Sequence, residues 1–134
     1  MFRDVYSGRL KLNGEEHEST ILVASNYAFS LIGANRFQEA KSMMRKSIPV
    51  ARRILEISDQ NTLRMRCIYA RALYHDDRAT LDDLREAVTT LEDTERTARR
   101  VLGGGHPTTA GIEYSMREAR AALRARETPP PGSS

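Results

Sequence analysis

The chain has 134 residues, enough for one domain with a modest core, and its 40% hydrophobic and 29% charged residues are typical of a helical protein in water. The net charge of +3 is too small to indicate nucleic-acid binding by itself. No apolar run reaches the roughly 18 residues of a membrane span, no signal-like apolar block is present, and a single cysteine, Cys67, excludes an internal disulfide. We therefore expect a cytoplasmic protein with no membrane segment.

A short skeleton, Gly-x-x-His-x-x-Thr, occurs twice in the chain, and the two copies are 89 residues apart. The copies are Gly14, His17 and Thr20, and Gly103, His106 and Thr109. A degenerate copy, "SDQNTL", lies between them at 58–63. Two further pairs of similar segments also indicate a repeat: "QEA" and "REA" are 47 residues apart, and so are "ARRIL" and "ARRVL". These spacings predict an internal repeat whose unit is a loop, a helix, a turn and a second helix.

Apolar residues recur at helical spacing throughout the repeats and predict helices over 18–33, 37–56, 60–75, 81–102 and 107–126. The predicted inward stripes are Ala24, Tyr27, Ala28 and Leu31; Phe37, Ala40, Met44, Ile48, Ala51 and Leu55; Leu84, Ala87, Val88, Leu91, Ala98 and Val101; and Ile112, Met116, Ala119 and Leu123. Each stripe covers one face of its helix, so the helices are expected to share a core.

The predicted helix ends carry residues typical of helix caps and turns. Thr80 with Asp83 resembles a capping box in which Asp replaces Glu. Gly103 is suited to close the last turn of one helix, and Pro107 to the first turn of the next. The glycine–histidine skeleton is therefore interpreted as a corner between helices. Pro49 is the exception, since inside a helix it removes one backbone hydrogen bond and should produce a kink.

The repeat divides residues 1–127 into a partial unit (1–13), unit one (14–57), unit two (58–102) and a terminal capping helix (103–127), followed by a disordered tail (128–134). The narrow apolar stripe of the last helix is what an end helix requires, because nothing stacks on its outer side. The partial first unit leaves two interpretations open. The chain is either the C-terminal part of a longer array or a small protein whose first helix acts as a cap.

The units resemble the tetratricopeptide repeat, with Tyr-Ala near the centre of the first helix and Phe/x-Glu-Ala opening the second. The longer period, the "LGGGHPTT" linker and the "SNYAFSL" segment resemble the kinesin light chain variant of that repeat. The resemblance implies an all-α fold, a right-handed superhelical solenoid of antiparallel helix pairs with about two and a half repeats. Two positions depart from the family pattern: Ile68 replaces the groove asparagine that Asn26 matches, and Pro49 interrupts a second helix.

In tetratricopeptide arrays the first helices line a concave groove that holds an extended peptide, and the resemblance transfers these positions to the present chain. They are Leu22, Ser25, Asn26, Phe29, Arg64, Cys67, Ile68, Arg71, Tyr74, Tyr114, Ser115 and Glu118. Arg64 and Arg71 are seven residues apart and share a helical face, with Ile68 between them. Because guanidinium groups pair bidentately with carboxylates, we expect an acidic peptide as partner. A solvated arginine face is the alternative interpretation.

Other functions have weaker signals. His17 and His106 belong to different corners and have no second ligand at metal spacing, so corner packing or capping is favoured over a metal site. The "HDDRATLDD" loop lacks the glycine and the terminal Glu of a calcium loop. No catalytic triad, phosphate loop or dinucleotide fingerprint occurs, and acidic residues dilute any basic stripe that could bind nucleic acid.

We expect a protein-interaction module that is not an enzyme and uses no cofactor. The alternative is a structural end-cap of a longer array, with no ligand of its own.

Overall fold

The computed structural model describes residues 18–55 and 59–127. All regular secondary structure within these ranges is helical, so the described part of the chain is an all-α protein. The five helices are α1 (Glu18–Gly33), α2 (Phe37–Ile54), α3 (Gln60–Tyr74), α4 (Leu81–Leu102) and α5 (Pro107–Glu127). Their bounds agree with the predicted ranges to within two residues. The expectations for the partial unit 1–13, for the corner at 14–17 and for the tail 128–134 lie outside the described residues.

Local hydrogen bonds explain where the helices begin and end. The predicted capping box of α4 is confirmed: the Asp83 N–H donates to Thr80 Oγ1 and the Thr80 N–H donates to the Asp83 carboxylate, both at 3.0 Å. Asp59 caps α3, since its carboxylate accepts the backbone N–H two residues further on at 2.8 Å. After α4, Gly103 adopts a φ of +91°, which L side chains rarely adopt. These features end one helix and begin the next at the predicted corners.

The three threonines of the repeated skeleton occupy equivalent places. Thr20, Thr62 and Thr109 are each the third residue of their helix, in α1, α3 and α5, and each is at most 2% exposed. At the α4–α5 corner, His106 Nδ1 accepts the Thr108 backbone N–H at 3.1 Å, which confirms the capping role predicted for this histidine. The skeleton therefore marks a helix start that packs against the core.

The helices form two layers. α1, α3 and α5 lie side by side, with α3 contacting both neighbours. α2 and α4 form the second layer. α2 contacts α1 and α3, and α4 contacts α3 and α5, but α2 and α4 do not contact each other within the described chain. α3 is thus the central helix, because it contacts all four others. A space remains between α2 and α4 above α3.

Besides the central helix α3, for which no stripe was predicted, the core is made of the predicted apolar stripes. Within them, Ala28, Ala40, Met44, Ala51, Ala87, Leu91, Ala98 and Ala119 are fully buried. Alanines at these positions allow the helix axes to approach closely, while Met44, Leu91 and the wholly buried Leu63 and Leu73 of α3 supply volume. Helix pairing is therefore maintained by small residues where the backbones approach and by larger ones between them.

The prediction is wrong for one residue of the α4 stripe. Val101 was expected to face the core, but it is 47% exposed. The neighbouring Leu102 packs against the core instead. Leu102 follows Leu84 by 18 residues, which is five full turns at 3.6 residues per turn, so Leu102 keeps the phase of the stripe and Val101 is turned about 100° away.

Pro49 lies inside α2, and the helix continues beyond it to Ile54. After the proline, the Leu55 N–H still donates to the Ala51 carbonyl at 2.7 Å. The missing N–H of Pro49 therefore interrupts the backbone ladder at one position without ending the helix.

Candidate functional site

A concavity of about 280 Å³ opens on the layer formed by α1, α3 and α5. Its lining residues are Phe29, Arg64, Cys67, Ile68, Arg71, Pro107, Thr108, Gly111 and Ile112. Residue spacing on α3 explains why this helix dominates the lining, because positions 64, 67, 68 and 71 follow one helical face. Here this surface is called the α3 groove.

The α3 groove brings together five of the twelve residues predicted to line the binding surface, namely Phe29, Arg64, Cys67, Ile68 and Arg71. Ile68 is 5% exposed and forms the floor, whereas Phe29 is 53% exposed and forms a wall. The prediction that Arg64 and Arg71 share one helical face is confirmed, because both line the same concavity.

The other seven predicted residues, which include Ser25, Ser115 and Glu118, lie outside this lining. Leu22 and Asn26 are exposed on α1, and Tyr114 is 57% exposed on α5. Tyr74 is buried behind the groove, where its hydroxyl donates to Glu118 Oε1 at 2.7 Å. Its burial raises the pKa of Tyr74, so the hydroxyl remains a proton donor at neutral pH.

Sequence reasoning missed the residues that α5 contributes. Pro107, Thr108, Gly111 and Ile112 lie in the first two turns of α5 and line the groove opposite Arg64. The family resemblance placed the groove one turn later, at Tyr114 and beyond. The available signal was the spacing of these four residues, which puts them on one helical face. The space beside Gly111 is open, since a Cβ at this position would meet nothing within 4 Å.

The two groove arginines form no ion pair within residues 18–55 and 59–127. The Arg71 guanidinium lies over the Phe29 ring, 5.4 Å from its centroid, and its Nε is buried without a hydrogen-bond partner. Arg66, on the other side of α3, differs because its Nη2 donates to Asp93 Oδ2 at 2.5 Å. Arg64 and Arg71 therefore present uncompensated positive charge to the groove.

The carboxylates near the groove are already engaged. Glu118 accepts the Tyr74 hydroxyl and lies 3.9 Å from His75 Nε2. Burial, reinforced by the positive charge of Arg71, lowers the pKa of His75, so this imidazole is neutral at pH 7. On the neighbouring helices, Arg120 donates to Glu92 at 2.8 Å. These acids therefore form no ion pair with Arg64 or Arg71.

Cys67 lies half-buried in the groove, as the interpretation of a groove-lining thiol predicted. Its Sγ donates to Ser115 Oγ at 3.6 Å. Burial raises the pKa of the Cys67 thiol, which keeps it protonated and weakly nucleophilic. The thiol contributes an apolar contact surface beside Ile68.

Within the described ranges, no group of three or more His, Cys, Asp and Glu residues is placed to hold a metal ion. None of the helices in the same ranges combines the length and the apolar character needed to cross a bilayer. No family model, no curated protein and no solved structure matches the chain. The functional argument therefore depends on the site geometry itself.

Proposed function

We propose that this chain is a short helical-repeat module that binds an extended, acidic segment of a partner protein in the α3 groove. The observation that carries the proposal is the pair of unpaired arginines, Arg64 and Arg71, which line one concavity together with Phe29 and Ile68. Other arginines of the described chain are paired with acids, as Arg66 is with Asp93 and Arg120 with Glu92. Leaving two unpaired in a concavity favours binding of an anionic partner.

The chemistry of the lining selects carboxylates and one apolar side chain. A guanidinium group can donate two parallel hydrogen bonds to a carboxylate, and it does so best where water is partly excluded. Phe29 and Ile68 add an apolar wall and floor next to these charges. The preferred segment therefore has Asp or Glu residues flanking one bulky apolar residue.

The size of the groove favours a peptide over a small-molecule ligand. Pockets for drug-sized molecules enclose roughly 300–1,000 Å³, and the α3 groove is about 280 Å³ with an open side. This volume suits one inserted side chain. The rest of the segment would extend along the exposed Leu22 and Asn26 on one side and Tyr114 on the other, where the Asn26 amide could bond the peptide backbone.

The layer arrangement supports a tetratricopeptide-like solenoid as the architecture of this module. α1, α3 and α5 form one layer and α2 with α4 the other, and this is the order that stacked helix pairs produce. The equivalent positions of Thr20, Thr62 and Thr109 also support a repeat. In such an array the groove is the surface of the first helices.

The test measures peptide binding by fluorescence anisotropy. A labelled segment with Glu and Asp around one Phe or Leu is expected to bind with a micromolar Kd that weakens as salt is added. A matched peptide with Lys in place of each acid is expected not to bind. The double variant Arg64→Glu/Arg71→Glu should abolish binding, and circular dichroism verifies that its helical fold is retained.

The control reverses the same number of charges elsewhere. Arg100 and Arg124 are exposed and do not line the groove, so Arg100→Glu/Arg124→Glu should retain nearly all the affinity. If acidic peptides bind no better than basic ones, or if reversing Arg64 and Arg71 changes nothing, the binding module is refuted. The chain would then be interpreted as a structural end-cap of a longer array.

A further inference from the structure

A second concavity, of about 230 Å³, lies on the opposite side of α3, between α2 and α4. Its lining residues are Arg45, Ile48, Pro49, Arg52, Arg66, Tyr69 and Thr90. Because α3 turns 100° per residue, Arg66 projects about 200° away from Arg64. The two concavities therefore lie on opposite faces of the central helix, and this one is called the rear cleft.

Arg66 is the deepest charged group of the rear cleft, with a side chain only 7% exposed. Its Nη2 donates to Asp93 Oδ2 at 2.5 Å, but its Nη1 is buried and has no hydrogen-bond partner. A buried cationic donor without an acceptor is costly. The unpartnered Nη1 therefore indicates a place for an anionic acceptor that enters the cleft.

Two further arginines of α2 face the same space. Arg45 and Arg52 are seven residues apart, on one helical face, with Ile48 and Pro49 between them. Arg45 Nε donates to the Tyr69 hydroxyl at 3.2 Å, and this hydroxyl in turn donates to Glu86 at 2.5 Å. Arg52 is exposed and forms no ion pair with any described residue.

The charged side chains that line the rear cleft are all arginines. Three guanidinium groups line it, and the lining contains no carboxylate. Three acids lie at its margin. Asp93 pairs with Arg66 and Arg96 and also interacts with the charge of Arg52, Glu86 accepts the Tyr69 hydroxyl, and Glu86 and Asp83 act electrostatically on Arg45. The Thr90 side chain adds a neutral hydroxyl to the lining. The cleft can thus supply several converging donors to one small anion.

We infer that the rear cleft binds a phosphomonoester group. A phosphoryl dianion has three acceptor oxygens, which matches the free guanidinium donors of Arg45, Arg52 and Arg66 better than one carboxylate does. The volume is below the roughly 300–1,000 Å³ of pockets for larger organic ligands, so the site takes the phosphoryl group and not a whole nucleotide. This site is separate from the α3 groove and does not depend on the proposed peptide binding.

The test titrates the full chain, labelled with ¹⁵N, and follows amide shifts by NMR. Inorganic phosphate is added at constant ionic strength, with sodium chloride as the reference. Shifts are expected around residues 45–52, 66–69 and 90, with residues 64 and 71 unaffected. A phosphoserine peptide and its unphosphorylated form provide the second arm of the titration.

The variant used is Arg52→Gln, because Arg52 is exposed and its loss leaves the buried pair of Arg66 and Asp93 intact. Loss of one charge-assisted hydrogen bond should weaken phosphate binding about tenfold. Arg100→Gln removes the same charge outside the cleft and is expected to change the affinity less than about twofold. The double variant Arg45→Gln/Arg52→Gln should abolish binding, and circular dichroism verifies its fold.

Each outcome is decisive. Phosphopeptide binding at least about tenfold tighter than that of free phosphate, at the same residues, assigns the site to phosphorylated side chains. Equal binding assigns it to free phosphate compounds. If phosphate shifts no more amides than chloride, or if Arg52→Gln and Arg100→Gln weaken binding equally, the rear cleft is not an anion site. Neither result affects the test of the α3 groove, whose arginines lie on the other face.

Discussion

The groove arginine Arg71 is expected to destabilise the fold, and its replacement by Met tests this. Its Nε is buried without a partner, and it forms no ion pair within the described residues. The compensating interaction is the Phe29 ring, 5.4 Å from the guanidinium carbon. Methionine retains the apolar stem of the side chain beside Ile68 and removes both the charge and the unpartnered donor.

The two effects differ in size. A buried donor without an acceptor costs about 1–3 kcal/mol, whereas a cation over a partly exposed ring contributes about 0.5–1 kcal/mol. Arg71→Met is therefore expected to raise the free energy of unfolding by about 1 kcal/mol. For a chain of this length the gain corresponds to a rise of about 3–5 °C in the melting temperature.

The same substitution should weaken acidic-peptide binding about tenfold, because one charge-assisted contact is lost. Stability is measured by urea unfolding followed by circular dichroism, and affinity by anisotropy. The control is Arg120→Met, since Arg120 donates to Glu92 at 2.8 Å across α4 and α5. Loss of this half-exposed pair should lower stability by about 0.5 kcal/mol and leave peptide affinity unchanged.

A stabilised protein with weakened binding is the pattern expected of a residue retained for its ligand. If Arg71→Met instead lowers the free energy of unfolding by about 1 kcal/mol or more, Arg71 supports the fold. The argument that it is held free for an anion would then be wrong.

Two further predictions concern stability. Ala28 is fully buried where helices approach closely, so Ala28→Arg should destabilise the protein by about 4 kcal/mol or more; a variant that melts like the parent in a thermal scan would refute the assignment of this face. Hydrogen bonding to Arg66 lowers the pKa of Asp93 below its ordinary value of 3.8. The stabilisation by ionised Asp93 is therefore complete above that value and is lost as the pH falls through the lowered pKa. Acid titration of Asp93→Asn should show a shallower loss of stability below about pH 4, and a curve parallel to that of the parent would contradict this coupling.

The sequence alone determined the features that depend on neighbours along the chain. The capping box at Thr80, the corner at Gly103 and the start of α5 at Pro107 are local, because each involves residues within about one helical turn. The buried stripes are local in the same sense, since the helical period places them. The common face of Arg64 and Arg71 follows from the same period.

Only the tertiary structure decided which faces meet. The start of α5, with Thr108 and Gly111, lines the same concavity as Arg64, although the family pattern favoured Tyr114 one turn later. The offset between two packed helices depends on how their side chains interlock, and no periodicity within one helix contains that information. For the same reason the sequence did not show that Asp93 would pair with Arg66. The unpaired state of Arg64 and Arg71, on the groove face of α3, is a result of that packing.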